Sequence, residues 1–163
     1  MQKPKISCIY LDMDGVIADF TKRYKEMYHM EPRRAEKNKK FDHFFDEFIE
    51  TKQFTTLDLM PDAMMGIEFL RKAPVPTQIL SSTANQERYD AVSKQKMIWL
   101  QTHGITFNPI FVPGKDLKYK YATPNSIIID DTKSVIDDWN NAGGIGIWHK
   151  DWGTTLTILK MYI

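Results

Sequence analysis

Short apolar runs alternate with longer amphipathic stretches along most of this 163-residue chain. Five apolar runs, each ended by polar residues or glycine, predict buried strands at 6–11, 75–80, 110–112, 126–129 and 145–148. Apolar residues at helical spacing predict helices between them at 61–72, 89–103 and 135–142. Strands that alternate with helices pair in parallel through right-handed crossovers. The pattern therefore predicts an α/β fold with an open, Rossmann-like parallel sheet flanked by helices.

The stretch 21–60 does not fit this alternation. It is rich in aromatic residues and too long for a plain loop in a compact domain. We interpret it as a small helical cap inserted after the first strand, where it would cover the site. The predicted domains are therefore a catalytic core formed by 1–20 and 61–163, and a cap formed by 21–60.

Composition narrows the class of protein further. The net charge is +1, with 42% hydrophobic and 26% charged residues, which is typical of a folded domain without a general bias towards nucleic acid or membranes. The single cysteine, Cys8, excludes an internal disulfide. No apolar run approaches the roughly 20 residues that span a bilayer, and the apolar N-terminal run is too short for a signal peptide. We expect a cytoplasmic protein, and the sequence predicts no oligomeric state.

Polar side chains follow the predicted strands at the edge where open α/β sheets bind ligands. Asp12 and Asp14 follow the first strand, with Gly15 permitting a sharp turn, and Asp130 and Asp131 follow the fourth. Carboxylates that meet at one edge repel each other unless a cation binds them. Hard oxygen ligands of this kind suit Mg²⁺, so we predict a magnesium site here.

The remaining strand ends carry groups suited to phosphate. Ser81, with Ser82 beside it, follows the second strand, and Lys115 follows the third; a hydroxyl and a point charge both bind phosphate oxygens. Lys118 and Lys120 are alternatives to Lys115 in the same segment. Together these residues indicate phosphoryl transfer, in which one Asp attacks phosphorus and the other protonates the leaving oxygen and then activates water. Asp130 and Asp131 are also suited to capping the helix that follows.

The run 12–20, DMDGVIADF, resembles the first motif of haloacid dehalogenase-like phosphatases. It is most similar to the 5′(3′)-deoxyribonucleotidase branch, whose motif continues into Ala-Asp-Phe. The later motifs, at 79–82, Lys115 and 128–131, follow in the order of that family. The resemblance covers almost the whole chain and is weakest in 21–60.

The resemblance implies a role for each matching residue. It makes Asp12 the nucleophile and Asp14 the general acid and base, with Mg²⁺ held by Asp12, Asp14, Asp130 and Asp131. It assigns phosphate binding to Ser81, Ser82 and Lys115. It places an aromatic ring that stacks on the nucleobase at Phe20, and Phe44 and Phe45 are further candidates for substrate binding.

The implied function is hydrolysis of nucleoside monophosphates through an aspartyl-phosphate, with deoxyribonucleotides favoured. The alternatives are a phosphatase for a sugar phosphate or a nucleic-acid 3′-phosphate end, and a non-catalytic nucleotide-binding protein. Between 22 and 40 there are eight basic and three acidic residues. Such a run is commonly a solvated helix face, but it could also steer an anionic substrate or a polynucleotide end to the site.

Overall fold

The computed structural model describes residues 3–37 and 40–163. A five-stranded sheet lies at its centre, and its strands are β1 (Cys8–Leu11), β2 (Thr77–Ser82), β3 (Asn108–Val112), β4 (Ser126–Asp130) and β5 (Ile145–Trp148). All neighbouring strands are parallel, and their order across the sheet is β3-β2-β1-β4-β5. The predicted Rossmann-like parallel sheet is confirmed.

Helices surround this sheet. Those that follow β1 are α1 (Phe20–Tyr28), α2 (Pro32–Lys37), α3 (Phe41–Glu50) and a 3₁₀ helix (Gln53–Thr56). We call these four elements the helical insertion. The later helices are α4 (Ala63–Lys72), α5 (Tyr89–Thr102), a second 3₁₀ helix (Lys115–Tyr121), α6 (Lys133–Asn141) and α7 (Trp152–Leu159). The division of the chain into a core and a separate cap remains a prediction. Lys39, part of the predicted basic stretch, lies outside the described residues.

The two faces of the sheet bury different sets of side chains because successive residues of a strand point to opposite faces. On β4, Ile127 and Ile129 belong to the larger apolar core, which also includes Trp99 of α5 and Trp152 of α7. Ile128 faces the other way, into a smaller core that α6 covers. The central strands are covered on both faces, as parallel sheets require.

Several boundaries and one element differ from the prediction. The strand predicted at 75–80 runs from Thr77 to Ser82, so Ser81 and Ser82 belong to the strand instead of following it. Likewise, Asp130 is the last residue of β4. Helix α7 was not predicted. It begins after Asp151, whose carboxylate accepts a hydrogen bond from the Thr154 amide. Gly153 and three threonines weaken the helical signal of this segment.

The topology creates a crevice at one edge of the sheet. From β1 the chain moves outward to β2 and β3, and then returns to the other side of β1 to form β4 and β5. The connections that leave β1 and β4 therefore diverge, and ligands bind in open α/β sheets at such a switch point. Among the described residues, no helix is long and apolar enough to span a bilayer.

Candidate active site

Three carboxylates converge at the crevice between β1 and β4. The Asp12 amide directly follows β1 and donates a hydrogen bond to the Ile129 carbonyl of β4 at 3.0 Å, which holds the two strand ends together. Asp12, Asp130 and Asp131 each place a carboxylate oxygen within 4.8 Å of the others. The structure thus brings together three of the four predicted metal ligands by their side chains, while Asp14 lines the same cavity.

Gly15 allows the chain to turn away beside this cluster. Its φ of +79° lies in the left-handed region, and a Cβ at this position would overlap the Asp131 carboxylate. The close approach brings the turn after Asp14 against the segment that follows β4. Any larger residue here would displace Asp131.

Lys118 is the cation at the centre of the carboxylates. It is 2% exposed, and its Nζ donates to Asp12 Oδ1 at 2.9 Å and to Asp130 Oδ2 at 2.8 Å. Burial alone lowers the pKa of Lys118, but attraction by Asp12 and Asp130 outweighs it and holds the pKa above the usual value. Lys118 is therefore charged at neutral pH.

One lysine does not neutralise the cluster. Burial, followed by repulsion from Asp130, raises the pKa of Asp12 well above its usual value, although Lys118 opposes this. The same two causes raise the pKa of Asp131 to about 6. In addition, Oδ1 of Asp14 is buried and has no hydrogen-bond partner among the described residues. Crowded carboxylate oxygens with too little positive charge fit a hard divalent cation such as Mg²⁺.

A second buried lysine serves the other side of the site. Lys96 of α5 donates to Asp14 Oδ2 at 3.0 Å, to the Ser81 hydroxyl at 2.7 Å and to the Ser82 carbonyl at 2.9 Å. Ser81 is fully buried beneath it, whereas Ser82 lines the cavity and its hydroxyl accepts a hydrogen bond from the Ala84 amide. Of the two predicted phosphate-binding serines, only Ser82 thus lines the cavity.

Lys118, the alternative that the sequence offered to Lys115, makes the ion pairs with Asp12 and Asp130. Lys115 is exposed at the start of its 3₁₀ helix and lines the cavity, whereas Lys118, one 3₁₀ turn later, occupies the position beside Asp12. Lys96 was also absent from the predicted site. Its spacing was a usable signal, because it is four residues after Val92 and three before Trp99, on the buried face of α5.

The cavity has a volume of about 810 Å³ and an aromatic wall. Phe20, Phe45 and Phe54 line it, with Phe20 stacked on Phe54 at a ring distance of 5.6 Å. Phe44 does not line it, because its ring stacks on Tyr28 at 4.3 Å. Of the three aromatic residues predicted to bind substrate, the structure therefore brings two to the site.

Arg88, in the connection from β2 to α5, contacts the helical insertion. Its guanidinium lies within ion-pair distance of Asp42 and Asp46 on α3, and sits 5.1 Å from the centre of the Phe45 ring. Its side chain is 14% exposed, whereas the side chains of Asp42 and Asp46 are 85% and 60% exposed, so these ion pairs lie at the surface. Because Arg88 immediately precedes α5, this contact links the aromatic wall to the helix that carries Lys96.

No protein-family model and no curated protein matches this chain. Several solved structures, however, are similar to it. A hydrolase from Streptococcus pneumoniae TIGR4 is similar with a TM-score of 0.58 and 14% identity, covering 96% of this chain and 99% of that chain. A chain of the Pnkp1/Rnl/Hen1 complex is similar with a TM-score of 0.55 and 13% identity, covering 91% of this chain and 47% of that chain. D,D-heptose 1,7-bisphosphate phosphatase from Burkholderia thailandensis is similar with a TM-score of 0.50 and 12% identity, covering 93% of this chain and 84% of that chain. What this chain shares with these structures is the Rossmann-like α/β fold.

Proposed function

We propose that this protein is a Mg²⁺-dependent phosphomonoesterase that hydrolyses nucleoside monophosphates, with deoxyribonucleotides favoured. The observation that carries the proposal is the arrangement of Asp12 and Asp14. Both follow the central strand β1, line one cavity and are each paired with a buried lysine. A nucleophile and a proton donor so placed are what phosphoryl transfer through a covalent intermediate requires.

In the first step an Asp12 carboxylate oxygen attacks phosphorus. The new bond joins this oxygen to phosphorus, and the bond from phosphorus to the leaving oxygen breaks with its electron pair on the leaving oxygen. The Asp14 carboxyl group donates a proton to that oxygen. Lys118 contacts Asp12 Oδ1, so Oδ2 is left for the attack.

The second step returns the enzyme to its starting state. Asp14, now a carboxylate, accepts a proton from water as the water oxygen attacks phosphorus. The bond between phosphorus and Asp12 breaks, which releases inorganic phosphate and restores the Asp12 carboxylate. Lys118 holds Asp12 in place in both steps and offsets the negative charge that develops nearby.

The magnesium ion would be held by the carboxylates of Asp12, Asp130 and Asp131, with the main chain of Asp14 as a further ligand. When bound, it supplies positive charge that stabilises the phosphoryl oxygens during transfer. The crowding of these carboxylates around Lys118 alone, and the raised pKa values of Asp12 and Asp131, support this assignment.

Aromatic rings in the cavity wall support a nucleotide as the substrate. Phe20 and Phe45 line the same cavity as Asp12 and Asp14, as a nucleobase attached to the reacting phosphate requires. A second candidate is a nucleic-acid 3′-phosphate end. The observation that favours it is the presence of basic residues that line the same cavity, namely Arg33, Lys37, Lys115 and Lys133.

The test is phosphate release from a substrate panel with Mg²⁺ and with EDTA. The panel contains deoxy- and ribonucleoside 5′- and 3′-monophosphates, sugar phosphates and a 3′-phosphorylated oligonucleotide. We expect Mg²⁺-dependent release that is fastest from deoxynucleotides and is abolished by Asp12→Asn in a folded protein. Preference for the oligonucleotide, weakened by salt, would select the second candidate. Release by Asp12→Asn at the native rate, or no release from any substrate, would refute the proposal.

A further inference from the structure

Lys96 is a buried cation with every donor used. Its side chain is 2% exposed, and its ammonium group contacts three acceptors: the Asp14 carboxylate, the Ser81 hydroxyl and the Ser82 carbonyl. An ammonium group has three N–H donors, so this environment satisfies it completely. The Phe54 ring of the helical insertion lies 5.3 Å from Nζ and covers it from another side.

We propose that Lys96 is a positioning residue for Asp14, an inference that rests on the proposed function. By binding Oδ2, Lys96 fixes the plane and direction of the Asp14 carboxyl group. This group gives a proton to the leaving group in the first step and takes one from water in the second.

The contacts and exposure of Asp14 support this role. Its side chain is 31% exposed and lines the cavity, whereas Oδ1 is buried and has no hydrogen-bond partner among the described residues. Among those residues, the contact with Lys96 is thus the one side-chain hydrogen bond that sets how the carboxyl group faces the cavity.

The two buried lysines also divide the carboxylates between them. Lys118 contacts Asp12 and Asp130, the residues proposed for attack and for metal binding. Lys96 contacts Asp14, the residue proposed for proton transfer. Ser81 and the Ser82 carbonyl supply two neutral acceptors to Lys96, and the Asp14 carboxylate supplies the third acceptor together with the opposite charge. The third contact makes Lys96 specific to the proton-transfer residue.

A leaving-group comparison tests this role. Phenyl phosphate and p-nitrophenyl phosphate have similar shapes, but the phenolate that leaves the first is the stronger base and depends more on a proton donor. We expect Lys96→Met to lower kcat/KM for phenyl phosphate by about 10²-fold and for p-nitrophenyl phosphate by at most about tenfold, since general acid catalysis contributes about 10²–10⁴-fold. Lys94→Met, an exposed lysine on the same helix, is the matched control and should change neither value.

A double-variant cycle separates positioning from a structural role. Asp14→Asn should show the same selective loss, and Lys96→Met added to it should cause little further loss, because both changes remove one function. Equal losses with both substrates, or full additivity of the two changes, would overturn the inference. Lys96→Gln keeps an amide donor and is the second variant if Lys96→Met does not fold; the same selective loss is required of it.

The proposed function and this inference fail in different ways. If Asp12→Asn keeps turnover of both aryl phosphates, the proposed function is wrong whatever the Lys96 variants show. If Asp12→Asn is inactive but Lys96→Met loses both substrates equally, the proposed function stands and the role of Lys96 is wrong.

Discussion

Nζ of Lys118 lies 2.9 Å from Oδ1 of Asp12, and both side chains are buried at the end of the central strand. Lys118 belongs to a 3₁₀ helix in the connection from β3 to β4, so this contact brings a distant part of the chain back to the residue that follows β1. A buried ion pair costs desolvation and is often matched in stability by apolar residues. The pair is therefore better explained by its chemistry than by its contribution to folding.

Lys118→Met should lower kcat by about 10²–10³-fold, which is the loss seen when one group that stabilises a developing charge is removed. Lys120→Met is the matched control, because Lys120 is exposed on the same 3₁₀ helix, and it should retain native kcat. Steady-state kinetics on the best substrate of the panel, with circular dichroism to verify folding, makes the comparison. Equal kcat in the Lys118 variant and the wild type would contradict the assignment.

Magnesium should stabilise the folded protein through the carboxylate cluster. At a Mg²⁺ concentration about 100 times its Kd, binding adds about 2.7 kcal/mol, which corresponds to a rise in Tm of about 5–10 °C for a protein of this size. Asp131→Asn removes one of the clustered carboxylates and should abolish most of this rise. Asp90→Asn, an exposed acid on α5, should keep it. Thermal unfolding with Mg²⁺ and with EDTA measures the rise in Tm for both variants. A rise in Asp131→Asn equal to that of the wild type would argue against the site.

As the pH falls, protonation of Asp131 and protonation of His149 should change the stability of the folded protein in opposite directions. The pKa of Asp131 is raised from 3.8 to about 6, chiefly by burial, so the native state binds the proton first and gains stability as pH falls from 6 towards 3.8. Burial lowers the pKa of His149 from 6.5 to about 4, so the unfolded state binds that proton first and stability is lost as pH falls from 6.5 towards 4. The two effects offset each other in nearly the same window.

Asp131→Asn should therefore expose the effect of His149. In EDTA, the Tm of this variant should fall more steeply than that of the wild type as pH is lowered from 6.5 to 4, because the stabilising protonation of Asp131 is lost while the destabilising protonation of His149 remains. Differential scanning calorimetry across this range is the measurement. Parallel pH profiles for the two proteins would show that the Asp131 carboxyl group titrates alike in the folded and unfolded states.

The sheet was predictable because its strands are short apolar runs, and the carboxylates were predictable because they stand where those runs end. The two lysines were harder to place. Lys115, Lys118 and Lys120 are equivalent in the sequence, and only the path of the 3₁₀ helix from β3 to β4 buries Lys118. The end of β2 was misplaced for a related reason, since Ser81 is polar and yet fully buried, where its hydroxyl binds Lys96. Contacts between distant segments decide such positions.

The aromatic residues of the helical insertion show the same limit. Phe44 and Phe45 are adjacent in sequence, and both were predicted to bind substrate. On α3 they point in different directions: Phe45 lines the cavity, whereas Phe44 stacks on Tyr28. Successive residues on a helix do not face the same way. Which of the two faces the site depends on how α3 packs, and the pattern of apolar residues alone did not decide it.

This difference leads to a prediction about substrate binding. Phe20→Leu should raise KM for a nucleoside monophosphate by about tenfold, since stacking of a base on an aromatic ring contributes about 1–3 kcal/mol. Phe44→Leu should leave KM unchanged, because its ring contacts Tyr28 outside the cavity. Both variants remove one ring from the same helical insertion, so thermal unfolding of each shows whether the insertion stays folded.

Inorganic phosphate provides the decisive comparison, because it has no base. If Phe20 stacks on the nucleobase, its loss should weaken binding of the mononucleotide and leave the inhibition constant of phosphate unchanged. If Phe20 only supports the aromatic wall around Phe54, its loss should disturb the contact of Phe54 with Lys96. The binding of phosphate and of the mononucleotide should then weaken together. A similar rise in KM for Phe44→Leu would likewise exclude stacking at Phe20. Only a selective loss in Phe20→Leu connects the aromatic wall to a nucleotide substrate.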